Sequence, residues 1–366
     1  MAAHPVQWQD RPAVIYGVGF WNRGSICGML AHLPGKPRFF WSFARAVKAA
    51  KASGASLFAW TTRLSDEQRA TCEAMSVPIV NVEDGFIRSV GLGAAFVPAA
   101  SLIMDGTGIY YDPSRPSDLE LMLEQAEVTD EERARGAAFR QQVVALRVSK
   151  YNVGAPSERA GFDTDRQTIL VPGQVSDDAS IRKSRSDSLD LASGENPNLL
   201  LLKQVRKANP DAFIIFKPHP DVANGLRLGA LSGEQTALYA DAVEVDTDII
   251  DLIEQCDSVE TISSLSGFEA LLRGKRVVVH GLPFYAGWGV SEDTTRCPRR
   301  NRVRTLDELV FLAMIRYPQY VDPSNLKSCE AESAISGIYR LRNNKTQSCR
   351  DRAMLYLARI AFRLGL

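Results

Sequence analysis

The chain has 366 residues, a length that suits two domains of ordinary size better than one core. Hydrophobic residues make up 45% and charged residues 23%, and 43 Lys and Arg balance 43 Asp and Glu, so no global field draws the protein onto nucleic acid and any basic site is local. Six cysteines are scattered without a CxxC pair or zinc spacing to histidine, which points to a reducing compartment. The first ten residues lack the apolar stretch of a secretion signal and no run of eighteen apolar residues occurs, so the expectation is a cytoplasmic protein.

In chain order, Ala13 to Tyr16 reads as a strand, Trp41 to Ser53 as an amphipathic helix, Ser56 to Trp60 as a strand, Leu64 to Met75 as a helix and Val77 to Val82 as a strand. A turn at Asp112 to Pro116 leads into a charged helical stretch, Asp118 to Leu146, and then a polar loop, Ser157 to Asp165. Alternation resumes with strands at Thr168 to Val171, Ala212 to Phe216, Ser258 to Ile262 and Arg276 to His280. Helices are expected at Leu199 to Ala208, Ile249 to Gln255 and from Gly267 to Leu272. Such alternation predicts parallel sheets covered by helices. Two α/β halves joined by a polar segment match GT-B architecture, two Rossmann-like domains facing one cleft. The expected boundaries are 1–155 for the first domain, 156–330 for the second and 331–366 for a helical tail.

Ligands in such sheets sit beyond the carboxyl ends of the strands, and the polar motifs cluster there. Glu83-Asp84-Gly85-Phe86-Ile87-Arg88 follows the strand ending at Val82. A carboxylate in it can act as acid or base on a sugar hydroxyl, or can merely cap a helix or pair with Arg88. Asp105 to Asp112, with glycines beside Asp and the pair Tyr110 and Tyr111, reads as a structural turn. Pro172-Gly173-Gln174-Val175-Ser176-Asp177-Asp178 offers carboxylates able to attack an anomeric carbon or to cap the next helix. In Lys217-Pro218-His219-Pro220 two prolines stiffen a loop whose Lys and His can bind a phosphate or a sugar carboxylate. Ser263, Ser264, Ser266 and Gly267 precede or open a helix, where backbone N–H groups bind phosphate, and Glu269 can take ribose hydroxyls. Tyr285 and Trp288, among glycines, read either as an aromatic wall for a ligand or as a packed loop. The DxD strings at Asp163 and Asp246 read as chance or capping, so no metal is implied.

Taken together, EDGFIRSVGLG (Glu83 to Gly93), GIYYDPSRPSDLE (Gly108 to Glu120), SKYN (Ser149 to Asn152), VPGQVSDDASI (Val171 to Ile181), KPHPDV (Lys217 to Val222) and SLSGFEALLRGK with GLPFYAGWG (Ser264 to Gly289) resemble the KpsC-type capsular polysaccharide β-Kdo transferases. Full-length members carry two transferase modules. This sequence resembles one, most similar to the second, which forms a β-2,7 linkage. The resemblance implies a CMP-β-Kdo donor, no cofactor, a lipid-linked Kdo acceptor and retention by double displacement. It implies Asp178 as nucleophile with Asp177 as its rival, Glu83 as acid/base, and His219 and Lys217 near the donor phosphate and Kdo carboxylate. Gln174 opens the nucleophile loop, and Ser264, Ser266 and Glu269 hold CMP. Lys217, His219 and Arg88 are the cations expected to offset the crowding of negative charge. Other readings are a CMP-sialic acid donor, a GT-B sugar-nucleotide epimerase, or a glycan-binding scaffold in a capsule-assembly complex. Arg350 to Leu366 forms a basic amphipathic pattern that suits either contact with the inner membrane surface or packing on the first domain.

Overall fold

The alternation resolves into two six-stranded sheets. The structure, a computed structural model, describes residues 8–90, 96–150, 152 and 161–343. The first sheet contains β1 (Ala13–Tyr16), β2 (Arg38–Phe40), β3 (Ser56–Trp60), β4 (Ile79–Asp84) and β5 (Ser101–Asp105). The second contains β6 (Thr168–Pro172), β7 (Phe213–Lys217), β8 (Ala242–Val243), β9 (Ser258–Thr261), β10 (Arg276–Val279) and β11 (Glu292–Asp293). The chain then returns, and β12 (Pro318–Tyr320) completes the first sheet.

The strand orders are β12-β5-β4-β3-β1-β2 and β11-β10-β9-β6-β7-β8. All pairings in the second sheet are parallel. In the first, β1 to β4 pair parallel while β5 and β12 add antiparallel. This corrects the expectation of parallel strands alone. It also brings the chain back to the first sheet at Pro318, before residue 330, where the sequence reading ended the second domain. The helix Ala331–Arg342 packs on the helix Asp130–Ala145 of the first domain. The basic pattern from Arg350 onward lies outside the described residues.

Local chemistry sets the boundaries. The helix Asp66–Ala74 starts at a capping box, in which Ser65 accepts from the Gln68 N–H and Gln68 answers to the Ser65 N–H. The expected single helical stretch from Asp118 to Leu146 is two helices, Asp118–Gln125 and Asp130–Ala145. Thr129 and Glu132 form the box that starts the second. The helix Phe43–Ser53 ends at Gly54, whose φ of 64° is the left-handed conformation that closes a helix without a Cβ penalty.

One hydrophobic cluster runs through both domains. It joins Phe86, Ile103 and Phe139 of the first to Leu170, Phe268 and Phe284 of the second. Charged contacts reinforce this joint. Arg299 and Arg300 grip Glu120 at 2.6 and 3.0 Å, and Arg300 also donates to the Pro283 and Ala286 carbonyls. Glu120 and Arg300 are both buried, so truncating the acid strands a cation in a dry site. Glu120→Ala is expected to lower unfolding free energy by about 3 kcal/mol, measured by urea denaturation. A loss below about 0.5 kcal/mol, the range of ordinary surface substitutions, would show that the joint does not depend on this pair.

Candidate active site

Each sheet has a switch point, where the strands before and after it diverge. In the second sheet it lies between β6 and β9. The loop after β6 carries Gln174, Asp177 and Asp178; the loop after β9 carries Ser263 and Ser264. Gln174 ties the two together. Its amide nitrogen donates to Ser263 Oγ at 3.1 Å, while its amide oxygen accepts from the Ser263 N–H at 3.1 Å and from Thr261 Oγ1 at 3.2 Å. Asn198 holds the backbone of Gln174 from the other side. Gln174 is therefore a brace of the loops after β6 and β9 that also lines the cleft.

The cleft between the domains is a cavity of about 940 Å³, within the range of ligand pockets. The first domain contributes Trp60, Glu83, Tyr110 and Lys150 to its wall. The second contributes Gln174, Asp177, Asp178, Lys217, His219, Ser263, Ser264, Ser266 and Glu269. Most sequence-predicted site residues thus meet in one place, although they span more than half the chain.

Asp178 caps the short helix Ala179–Arg182, accepting from the Ser180 N–H at 2.9 Å and Ser180 Oγ at 2.8 Å, both through Oδ1. Capping and cleft lining are therefore both true of it. Its other oxygen, Oδ2, lies 4.0 Å from the Arg227 guanidinium. Asp177 pairs with the same guanidinium at 3.3 Å. Across the cleft, at the end of β4, burial first and the neighbouring Asp84 carboxylate second push the Glu83 carboxyl up to about 8. The charge of Asp178 contributes in the same direction, and that of Lys150 opposes it.

His219 caps the turn Pro220–Ala223: its Nδ1 accepts the Asp221 N–H at 3.1 Å. A neutral ring with Nδ1 accepting carries its proton on Nε2. Burial holds the imidazole below its ordinary value, against the pull of Asp221. His219 is therefore a neutral donor at physiological pH, which corrects its expected role as a cation. Lys217 is buried, donates to the Val245 carbonyl at 3.0 Å, and is lowered by desolvation against the pull of Asp248 and its acidic neighbours.

The helix Leu265–Leu272 points its amino end into the cleft wall, with Ser264 as cap accepting from the Ser266 N–H. Glu269 accepts the Lys150 N–H at 3.0 Å, so it links the two domains, and burial raises it to about 7.

Four expected site residues are elsewhere. Arg88 is 1% exposed, outside the cleft lining, and paired with Asp84 at 2.8 Å. Tyr285 and Trp288 are fully buried: the Tyr285 hydroxyl donates to the Ser264 carbonyl at 2.6 Å, and the Trp288 indole donates to the Phe284 carbonyl at 2.8 Å. Tyr285 supports the serine loop, Trp288 ties its own loop, and neither forms a ligand wall. Gly267 also faces inward, since a Cβ there would meet the Tyr285 hydroxyl at 2.4 Å. Conversely, Lys150 and Arg227 supply the positive charge facing Glu83 and the Asp177–Asp178 pair. Lys150 stands in the SKYN motif without any charge pattern to mark it, and Arg227 follows a stretch with no periodicity. Tyr110 and Tyr111, read as a structural turn, line the cleft as well.

The family model for capsule polysaccharide biosynthesis proteins matches residues 56–155 and 141–322. The chain belongs to this family. It is 38% identical over 328 residues to the capsule polysaccharide modification protein LipA of Neisseria meningitidis serogroup B, covering 89% of this chain and 45% of LipA. It is 43% identical to the lipopolysaccharide-processing protein LpsZ of Rhizobium meliloti over 73% of this chain and 60% of LpsZ. The chain thus spans about half the length of the curated relatives it matches. Two solved structures of Thermosulfurimonas dismutans KpsC share the fold. The β-Kdo 2,4 transferase matches at TM-score 0.75 and 30% identity, over 90% of this chain and 98% of that one. The β-Kdo 2,7 transferase matches at TM-score 0.70 and 32% identity, over 91% of this chain and all of that one. The fold of this family member is GT-B, and its likeness to the two KpsC transferases is nearly equal. Among the described residues no helix is long and apolar enough to cross a membrane.

The Glu83 environment makes a direct prediction. With side-chain carboxyls labelled with ¹³C, the Glu83 signal is expected to titrate near pH 8 while exposed glutamates titrate near 4. Asp84→Asn removes the neighbouring negative charge and is expected to shift that midpoint downward. A Glu83 midpoint in the ordinary glutamate range would show that the site is wet.

Proposed function

We propose that this protein is a retaining glycosyltransferase that moves Kdo from CMP-β-Kdo onto a Kdo-terminated glycolipid in capsule or related surface-polysaccharide synthesis, forming a β-2,7 linkage. The observation that carries this reading is the pair of carboxylates, Glu83 and Asp178, facing one cleft from two domains in a chain of the capsule family. The motif resemblance to the second module of KpsC-type enzymes favours the 2,7 linkage.

Asp178 is the nucleophile. Its Oδ1 is held by Ser180, which fixes the rotamer and leaves Oδ2 for attack, whereas Asp177 is engaged with Arg227. In the first step Oδ2 bonds to C2 of Kdo as the C2–O bond to the CMP phosphate breaks. In the second the acceptor hydroxyl bonds to C2, its proton passes to Glu83, and Asp178 leaves. Two inversions give net retention. The amino end of the helix Leu265–Leu272, with Ser263, Ser264 and Ser266, receives the phosphate. The His219 Nε2–H donates a hydrogen bond without adding charge, and Lys217, Lys150 and Arg227 offset the carboxylates. A single-phosphate donor is handled by these groups, so the reading requires no metal.

The test is a transfer assay with freshly made CMP-Kdo and a synthetic acceptor ending in β-Kdo, read by mass spectrometry and then by NMR of the linkage. Addition of one Kdo through O7 is expected. Transfer from CMP-sialic acid, or loss of CMP-Kdo without need for acceptor, would sink the reading. Asp178→Ala is expected to cut turnover roughly a thousandfold or more, with folding intact. A fully active variant would hand the role to Asp177.

The acceptor step also has a predicted pH limb. Glu83 must be ionised to take the acceptor proton, and its carboxyl is raised to about 8. Below that value the ionised fraction falls about tenfold per pH unit. Turnover is therefore expected to rise with pH and level off above about 8. Glu83→Gln should lower the rate by roughly a hundredfold or more and flatten the limb. A limb of unchanged midpoint in that variant would assign it to another group.

A further inference from the structure

The balanced net charge hides a strong local bias. Residues 11–65 contain eight Lys and Arg and no Asp or Glu, in a chain with 43 acids in 366 residues. None of those eight cations forms an ion pair with a described residue, whereas most arginines of the second domain are tied to carboxylates. The segment builds β1, β2, β3 and the helix Phe43–Ser53, with β2 on the outer edge of the sheet. Lys36, Arg38, Arg45 and Lys48 on it are all exposed.

Aromatic rings stand among these charges. Phe20, just after β1, is 63% exposed, and Trp41, just after β2, is 68% exposed. Phe20 packs edge-on to Trp21, and Trp21 to Phe96. The Arg23 guanidinium lies over the rings of both Phe39 and Trp41, at 5.2 and 5.3 Å, and that of Arg38 lies over Phe40 at 5.4 Å. Burying an exposed Trp and Phe within a field of unpaired cations suits a phase that is apolar inside and anionic at its surface. A folded acidic partner would answer the charges but would not need two projecting rings, and a nucleic acid would meet them at a sheet edge without a groove-reading element.

We propose that this edge of the first domain docks on an anionic phospholipid bilayer, with Trp41 and Phe20 entering the headgroup layer and the basic residues facing the lipid phosphates. The placement fits the function proposed above, on which its biological meaning rests. β1 to β4 run parallel, so Phe20 and Trp41 lie at the same end of the sheet as Trp60 and Glu83 in the cleft wall. Three strand spacings, roughly 15 Å, separate the β4 and β2 positions. A lipid-linked acceptor held in the bilayer would then reach the cleft along the sheet's carboxyl edge.

The experiment needs neither donor nor acceptor. The full chain is sedimented with vesicles of phosphatidylcholine alone or of phosphatidylcholine with phosphatidylglycerol, at low and high salt. Binding is expected to the mixed vesicles only and to weaken with salt, with a blue shift of tryptophan emission that Trp41→Ala removes. Arg38→Gln, Arg45→Gln and Lys48→Gln together are expected to weaken binding about a hundredfold, near fivefold per charge. The same triple variant should keep transfer activity on a water-soluble acceptor, which separates failure of docking from failure of the enzymatic reading. Absence of binding, or binding unchanged in the triple and Trp41→Ala variants, would overturn the proposal, the latter by assigning attachment to another part of the chain. Equal competition by double-stranded DNA at matched charge, with no Trp41 shift, would overturn it in favour of a general polyanion site.

Discussion

The stacking of Phe86 on Phe284, with ring centres 4.3 Å apart, is the contact on which the site depends. Phe268 and Tyr110 close on Phe284 from two other sides, at 5.0 and 6.0 Å. Two of these rings come from motifs that bear a cleft-lining acid, Phe86 following Glu83 and Phe268 preceding Glu269, and Phe284 lines the cleft itself, next to the Tyr285 that supports the serine turn. Aromatic pairs add about 0.5–1.5 kcal/mol beyond their area, and these lie inside one core shared by both domains. The apolar half of each motif fixes where its polar half points.

Electrostatics inside the cleft follow from that burial. Glu83 and Glu269 are both raised because the joint keeps water from them. His219 is lowered for the same reason. Asp178 sits further toward solvent, held by the Ser180 N–H and hydroxyl. The two carboxylates that line one cleft thus live in different media, Glu83 in the dry joint and Asp178 at the rim.

The α/β core was legible because buried parallel strands read as short apolar runs, and AVIY, SLFAW and AFIIF stand out as such. Four of the strands that escaped are edge strands: β2 is three residues long and β8 and β11 two, too short to carry a period, and β12 begins with Pro318, a residue that argues against a strand except at the sheet edge where it sits; the fifth, β5, is an interior strand whose five buried residues lie between two stretches read as loops. The strand-end carboxylates were legible because connectivity alone delivers them to the cleft. Gly267 and Arg88 were placed in the site, and Tyr285 and Trp288 stood open between ligand wall and packed loop, because a residue's side of a loop is decided by tertiary packing; an aromatic among glycines looks alike whether it meets a ligand or a backbone carbonyl. Lys150 and Arg227 were missed for the converse reason, since each owes its role to the domain opposite or to a neighbouring loop.

The shared core bears on how the cleft can behave. Sliding one domain across the other would part the Phe86–Phe284 stack and uncover Arg300, so the spacing between Glu83 and Asp178 is laid down when the chain folds. The width of the slot is thereby inherited from the core that the two domains share.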